Sequence, residues 1–130
     1  MANPNIVAVA SIYGESQGFN LSNTTTTTLI AAVSSGKLMK VNRITVANVD
    51  GSAAADVDVS IVKAGYTSAA NGASIGVSTS FLAKTISVPA DASLVLLDTP
   101  IYLQEGDVLR GGASAASDLD LFISYDVIAV

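Results

Sequence analysis

Few side chains in this chain are suited to chemistry, and their types narrow the choices. A serine nucleophile needs an activating base within hydrogen-bond reach. Histidine is absent, so the base would be Lys37, Lys40, Lys63 or Lys84, and no sequence signature joins any of them to a serine. Paired carboxylates could serve glycoside hydrolysis, and Asp56 with Asp58, or Asp118 with Asp120, share one strand face. The commoner use of such acids is to keep a wet strand edge from pairing. Asp50, Asp56 and Asp58 flank one loop, and calcium takes oxygen ligands, but the loop lacks the regular D-x-D-x-D-G spacing of an EF-hand. Aromatic platforms for sugars normally include tryptophan, which is missing; Tyr13, Tyr66, Tyr102 and Tyr125 are scattered. Tyr125 falls among the apolar positions of its strand, which leaves Tyr66 as the tyrosine for an exposed contact. The reading is of a chain with no catalytic residues, no cofactor and no metal.

The elements that would have to position any such site are strands. Apolar residues recur with period two almost throughout. In "ADVDVSIV", Val57, Val59 and Ile61 alternate with Asp56, Asp58 and Ser60. In "DLDLFISYDV", Leu119, Leu121, Ile123, Tyr125 and Val127 share one face, with Asp118, Asp120, Ser124 and Asp126 on the other. Further β-rich segments are 6–12, 25–33, 38–49, 81–88, 94–97, 101–103 and 108–110. Turn signals separate them: "SSGK" at 34–37, "NVDGSAAAD" at 48–56, "QEGD" at 104–107 and "RGGASAASD" at 110–118, with Pro89 and Pro100 at strand boundaries. About eight short strands and no amphipathic helix predict an all-β fold, an antiparallel β-sandwich of jelly-roll type. The immunoglobulin alternative would want a core tryptophan and a cysteine pair, and both are absent.

Length and composition set the remaining bounds. The 130 residues make one domain, 1–130, with no room for a second. Only 13% of residues are charged, about half the usual share. A surface of Ser, Thr, Asn, Ala and Gly costs little to desolvate, which favours lasting contact with another protein. The net charge of −5 repels polyphosphate, so no nucleic acid partner is expected. No run reaches the ~18 apolar residues of a membrane helix, and no membrane partner is expected. "MANPNIVAVASIYGES" has no basic n-region, so synthesis without a secretory signal is expected, and the N-x-S/T matches "NLS" at 20–22 and "NTT" at 23–25 read as chance in a threonine-rich stretch.

Three stretches attract attention as contact surface. Residues 1–12 read either as an N-terminal arm or as the first strand: Pro4 blocks an early helix, and Ile6, Val7 and Val9 could extend a neighbouring sheet. The segment "AGYTSAANGASIGVSTSFLA" has no charged residue, and its 64–80 portion reads as a long uncharged loop. In "NTTTTTLI", period two puts Thr24, Thr26 and Thr28 on one face with Ile30 and Thr25 and Thr27 on the other with Leu29. The candidate contact residues are therefore Asn3, Pro4, Asn5, Ile6, Thr24, Thr26, Tyr66 and Asn71.

Across residues 38–128, "VNRITVANVDGSAAADVDVSIVKAG" followed by "KTISVPADASLVLLDTPIYLQEGDVLRGGASAASDLDLFISYDVI" resembles small structural proteins of tailed bacteriophages, marine and cyanobacterial ones especially. The likeness is a succession of local patterns with no catalytic signature among them. Its "L-x-x-GD-x-L" piece, Leu103 to Leu109, occurs in many jelly rolls, where the glycine turns the chain and the aspartate accepts backbone N–H groups. The resemblance implies a virion component made in the host cytoplasm, on the phage head in preference to the tail. It implies capsid decoration or cementing, with the major capsid protein or other virion proteins as partners. It also implies a homo-oligomer, a trimer foremost. The competing expectation is a tail, neck or fibre component with a host-surface or carbohydrate-binding role.

Overall fold

The computed structural model describes residues 6–130 except Thr25, and of Ile6 only the backbone. A 3-10 turn, Ile6–Ala8, leads into eleven strands: β1 Ser11–Asn20, β2 Thr27–Ile30, β3 Lys37–Asn48, β4 Ala55–Lys63, β5 Tyr66–Thr67, β6 Ser74–Ile75, β7 Ser78–Val88, β8 Ser93–Leu97, β9 Ile101–Leu103, β10 Val108–Ala113 and β11 Leu119–Ala129. One sheet runs β1-β11-β3-β8, with β9 also on β3; the other runs β2-β10-β4-β7; β5 and β6 make a separate hairpin. All pairs are antiparallel. β8 and β9 lie in succession along one side of β3, broken at Asp98 to Pro100, where proline cannot donate to the ladder. Counted as one interrupted edge, and with the small hairpin set aside, they complete eight strands in the two-Greek-key order of a jelly roll. Among the described residues no helix is long and apolar enough to cross a membrane.

The core lies between the two sheets. The alternation of β4 buries Val57, Val59 and Ile61, and that of β11 buries Leu119, Leu121, Ile123 and Tyr125; Ile44, Val46, Leu103 and Leu109 meet them. Tyr125 points inward, and its hydroxyl accepts a hydrogen bond from Gln17 Nε2 at 2.8 Å. The buried Asn48 closes the β3–β4 connection: its Nδ2 donates to the carbonyls of Ala53 and Val88, and its Oδ1 accepts from the Asp50 N–H.

Four features depart from the sequence expectations. The strand expected within 6–12 begins only at Ser11 and runs on to Asn20, with almost every side chain exposed. Gly14, Gly18 and the polar residues between them hide this strand from propensity; ten residues of pairing with β11 hold it. β10 continues past Arg110 through Gly111 and Gly112, which pair with β4. β2 starts inside the threonine run, at Thr27, but a bulge opposite Leu109 and Arg110 breaks its period, so that Thr28 pairs with outward Arg110 while Ile30 pairs with inward Leu109. Thr28 and Ile30 therefore take opposite faces, and Leu29 and Ile30 both turn toward the core. The uncharged 64–80 segment is a folded hairpin closed by local side chains, with Asn71 Oδ1 accepting from the Ala73 N–H and Gly72 at φ 71°, followed by the start of β7.

β7, an edge strand, is distorted where Val57 and Val59 pair with it, and Thr85 there has φ 54°. Asp58 Oδ1 accepts the Thr85 N–H and holds the bulge. A β-branched residue in the left-handed region is strained by about 1–2 kcal/mol, more than the extra unfolded-state entropy of glycine, so Thr85→Gly is expected to raise stability by about 0.5–1 kcal/mol. Thermal unfolding of the variant checks this; a lower midpoint would contradict it.

Candidate contact surface

The jelly-roll order sorts the connections to two ends of the sandwich. Segments 21–24, 49–54, 89–92 and 114–118 meet at one end, tied by backbone bonds from Val49 N to Asp118 O, Asp91 N to Asp50 O and Ser117 N to Leu21 O. That end holds Asp50, Asp56, Asp91, Asp118 and Asp120 and no lysine or arginine in its connections. Asp50 closes a local turn on Ser52, whose hydroxyl and N–H hold its carboxyl below the ordinary aspartate range. Segments 31–36, 64–77 and 104–107 gather at the other end with the 6–10 segment and Val130, about 25–30 Å away along β4. Their only charged residues, Glu105 and Asp107, are buried.

The "QEGD" turn organises this uncharged end. Gly106 takes φ 85°, donates its N–H to Val33 O at 2.8 Å, and lets the chain reverse so that Asp107 turns inward. Asp107 Oδ2 accepts from Lys63 Nζ at 2.6 Å and from the Gln104 N–H at 2.8 Å, and Oδ1 accepts from the Ala64 N–H at 2.9 Å. Glu105 Oε1 accepts from the Gly36 N–H at 2.6 Å. Two connections, 31–36 and 64–77, are thereby pinned to this turn, and the acids responsible are sealed from solvent.

What the connections of this end show to solvent is small, uncharged or apolar, with Lys37 exposed beside them at the start of β3. Val7 is 91% exposed and Val77 is 73% exposed; Ile12, Tyr13, Ile75 and Val130 join them. On the outer face of the first sheet, Gly18, Phe122, Thr45 and Val95 form one row across the strands, and Gly14, Asp126, Lys40 and Tyr102 another. Phe122, Val95 and Tyr102 are exposed there, and Phe81 is exposed on β7 with Lys84 Nζ 4.9 Å above its ring.

The residues expected to make contacts do not converge. Asn3, Pro4 and Asn5 lie outside the described residues, and so does the side chain of Ile6. Thr24 and Thr26 are exposed at the acidic end, where the Thr24 carbonyl receives the N–H and hydroxyl of Thr27. Tyr66 and Asn71 sit on the hairpin at the uncharged end. Tyr66 is half-buried, with Lys63 Nζ 5.2 Å from its ring. Sequence reasoning missed Phe122, Phe81 and Val77 as surface residues. Phe122 was legible, since it falls on the polar face of "DLDLFISYDV"; Phe81 was not, because the β7 bulge conceals the phase of its strand.

Three of the groups weighed for chemistry have structural partners. Asp58 holds the bulge, Asp120 accepts from Asn20 Nδ2 at 2.7 Å, and Lys63 is bonded to Asp107 and Gln104. Among the described residues no three His, Cys, Asp or Glu side chains are grouped to hold a metal ion.

The chain is thus an all-β, antiparallel jelly-roll sandwich with chemically distinct ends. No family model matches it, and no curated protein matches it. Solved structures similar to it include a chain from an archaeal virus described by its triple jelly roll fold and turret assembly, at 14% identity and TM-score 0.49, covering 93% of this chain and 30% of that one. A chain of the acid-stable capsid of Helicobacter pylori bacteriophage KHP30 is similar at 10% identity and TM-score 0.45, covering 93% and 90%. A Bacillus endospore appendage protein, from a family of disulfide-linked pili, is similar at 13% identity and TM-score 0.43, covering 92% and 88%.

Proposed function

We propose that the chain is a non-enzymatic structural protein of a virion, a capsid decoration or cement protein that binds the phage head by protein–protein contacts. The carrying observation is the polarity of the sandwich. One end gathers five aspartates with no lysine or arginine in its connections; the connections of the other bury their two acids and expose Val7, Ile75 and Val77 among small residues, with Lys37 and the partly exposed Lys63 beside them at the strand ends. Docking the uncharged end removes apolar surface from water and strips few charges of solvent. The acidic end then faces outward, where its hydrated carboxylates keep decorated particles from adhering to one another. The phage resemblance of residues 38–128 supplies the partner, the major capsid protein.

Heads assembled without the protein are expected to form but to lose resistance to heat and low ionic strength. Adding back the purified chain restores that resistance, and adding back Val77→Asp, which puts a charge into the docking end, does not. Equal stability of heads with and without the protein would contradict the reading.

A further inference from the structure

The two large sheets have four edges, and three of them are blunted. β7 is bulged, with Lys84 and the strained Thr85 in the bulge; β8 and β9 are separated by Asp98 to Pro100; β2 has four residues. Such devices keep an edge from accepting a foreign strand. β1 has none of them. It runs ten residues without proline, and its register on β11 is unbroken. The Leu21 N–H bonds the Leu119 carbonyl at 2.8 Å, one step beyond the Asn20–Asp120 pair, so the odd-numbered residues of β1 exchange the bonds with β11. Ile12, Gly14, Ser16, Gly18 and Asn20 therefore aim their N–H and C=O groups off the sheet, and among the described residues no strand receives them. A row of donors and acceptors at this spacing is matched by another extended backbone.

The side chains around this edge select among extended segments. β1 and β11 carry Glu15, Asp120 and Asp126 and no lysine or arginine. Gly14 leaves the way from the edge to Asp126 open: a Cβ added there would lie 3.8 Å from Asp126 Oδ1. That carboxylate makes no ion pair with Lys40, its neighbour on β3. Gly18 stands in the same relation to the exposed Phe122, whose Cδ1 would lie 3.6 Å from an added Cβ. Strands lie about 4.8 Å apart, so a side chain opposite Gly14 on an added strand crosses one glycine to meet the carboxylate. A side chain opposite Gly18 crosses to the phenyl ring. We infer that the β1 edge receives an extended segment of a different protein, with a lysine or arginine opposite Gly14 and an apolar residue four positions away, opposite Gly18. A second copy of this chain fits less well, because its β1 brings the same acids against Glu15 and Asp126 and its other edges are the blunted ones. The contact runs along the side of the sandwich and is separate from the docking end.

Threonine-rich peptides of the length of β1 serve as probes, one with a lysine and a leucine four positions apart and one with glutamate in place of the lysine. In the free protein, hydrogen exchange is expected to be fast at the amides of Gly14, Ser16 and Gly18 and slow at those of Glu15 and Gln17. The lysine peptide is expected to slow the first group and to bind about tenfold or more tighter than the glutamate peptide. Asp126→Lys is expected to reverse the order of the two peptides. Ser16→Pro removes one outward N–H and no bond to β11, so it is expected to keep the fold and abolish binding. No binding of either peptide, equal binding of both, or an order that Asp126→Lys leaves unchanged would each overturn the inference. So would Gly14 and Ser16 amides as slow as that of Glu15 in the free protein, because the edge would then be filled already. Association of the wild-type chains with one another that Ser16→Pro abolishes would make the occupant a second copy and overturn it too. The measurements use the isolated protein, so their failure leaves the virion reading standing, and a different location in the virion leaves strand addition standing.

Discussion

Replacing Asp107 by asparagine is expected to cost about 3 kcal/mol of stability, although the side chain keeps its size. Asp107 is 0% exposed, and both of its oxygens accept backbone N–H groups: Oδ1 from Ala64, Oδ2 from Gln104. An amide has one acceptor oxygen, so either orientation sets its NH2 group against a backbone donor. Lys63 Nζ loses its ion-pair partner at the same time and keeps the Gln104 side-chain oxygen Oε1. Leaving buried donors unpaired incurs their full desolvation cost, which is why the loss exceeds the modest net value of an ordinary hydrogen bond. For a chain of this length the thermal midpoint should fall by about 10 °C. Lys63→Met should cost less, because Asp107 keeps its two backbone donors and Lys63 is partly exposed. Denaturant unfolding of both variants decides the order. Equal losses, or an Asp107→Asn loss under about 1 kcal/mol, would show that the turn does not depend on the carboxylate.

Gly111→Ala is expected to cost about 2–3 kcal/mol, for a reason unrelated to charge. A Cβ at that position would lie 2.8 Å from the Asp58 carbonyl oxygen and 3.0 Å from Leu29 Cδ1. The leucine end could give way, but the carbonyl belongs to β4, which pairs with β10 along Val57 to Val62 and with β7 on its other side. Shifting it disturbs both ladders. Gly18→Ala, whose Cβ would meet Phe122 Cδ1 at an ordinary 3.6 Å, is the control and should cost less. If Gly111→Ala melts with the wild-type protein, β4 and β10 are packed less closely than described.

The readable parts of the sequence were those where one face of a strand is buried and the other wet. β4 and β11 declare themselves through Val57, Val59 and Ile61 and through Leu119 to Tyr125, because their apolar residues are buried at every second position. The "QEGD" reversal was equally legible, since glycine and aspartate each have one conformational or hydrogen-bonding task there. β1 was not, because a strand exposed on both faces has no burial pattern to display; its existence depends on β11, more than a hundred residues away. The bulges that turn Ile30 inward and displace Thr85 are likewise set by partner strands. The candidate contact surface was legible in composition and hidden in arrangement. Each acidic connection stands in the sequence as an ordinary turn, and only the two-sheet topology collects Asp50, Asp91 and Asp118 at one end and the Tyr66 hairpin with Val7 at the other.

An electron-microscopy map of the intact virion tests the central claim most directly. Decoration predicts this sandwich in many copies across the head, its Val7 and Val77 end on the major capsid protein and its Asp50 and Asp118 end toward solvent. Density for the chain in only a few copies at the neck or tail, or on the head with the acidic end inward, would contradict it.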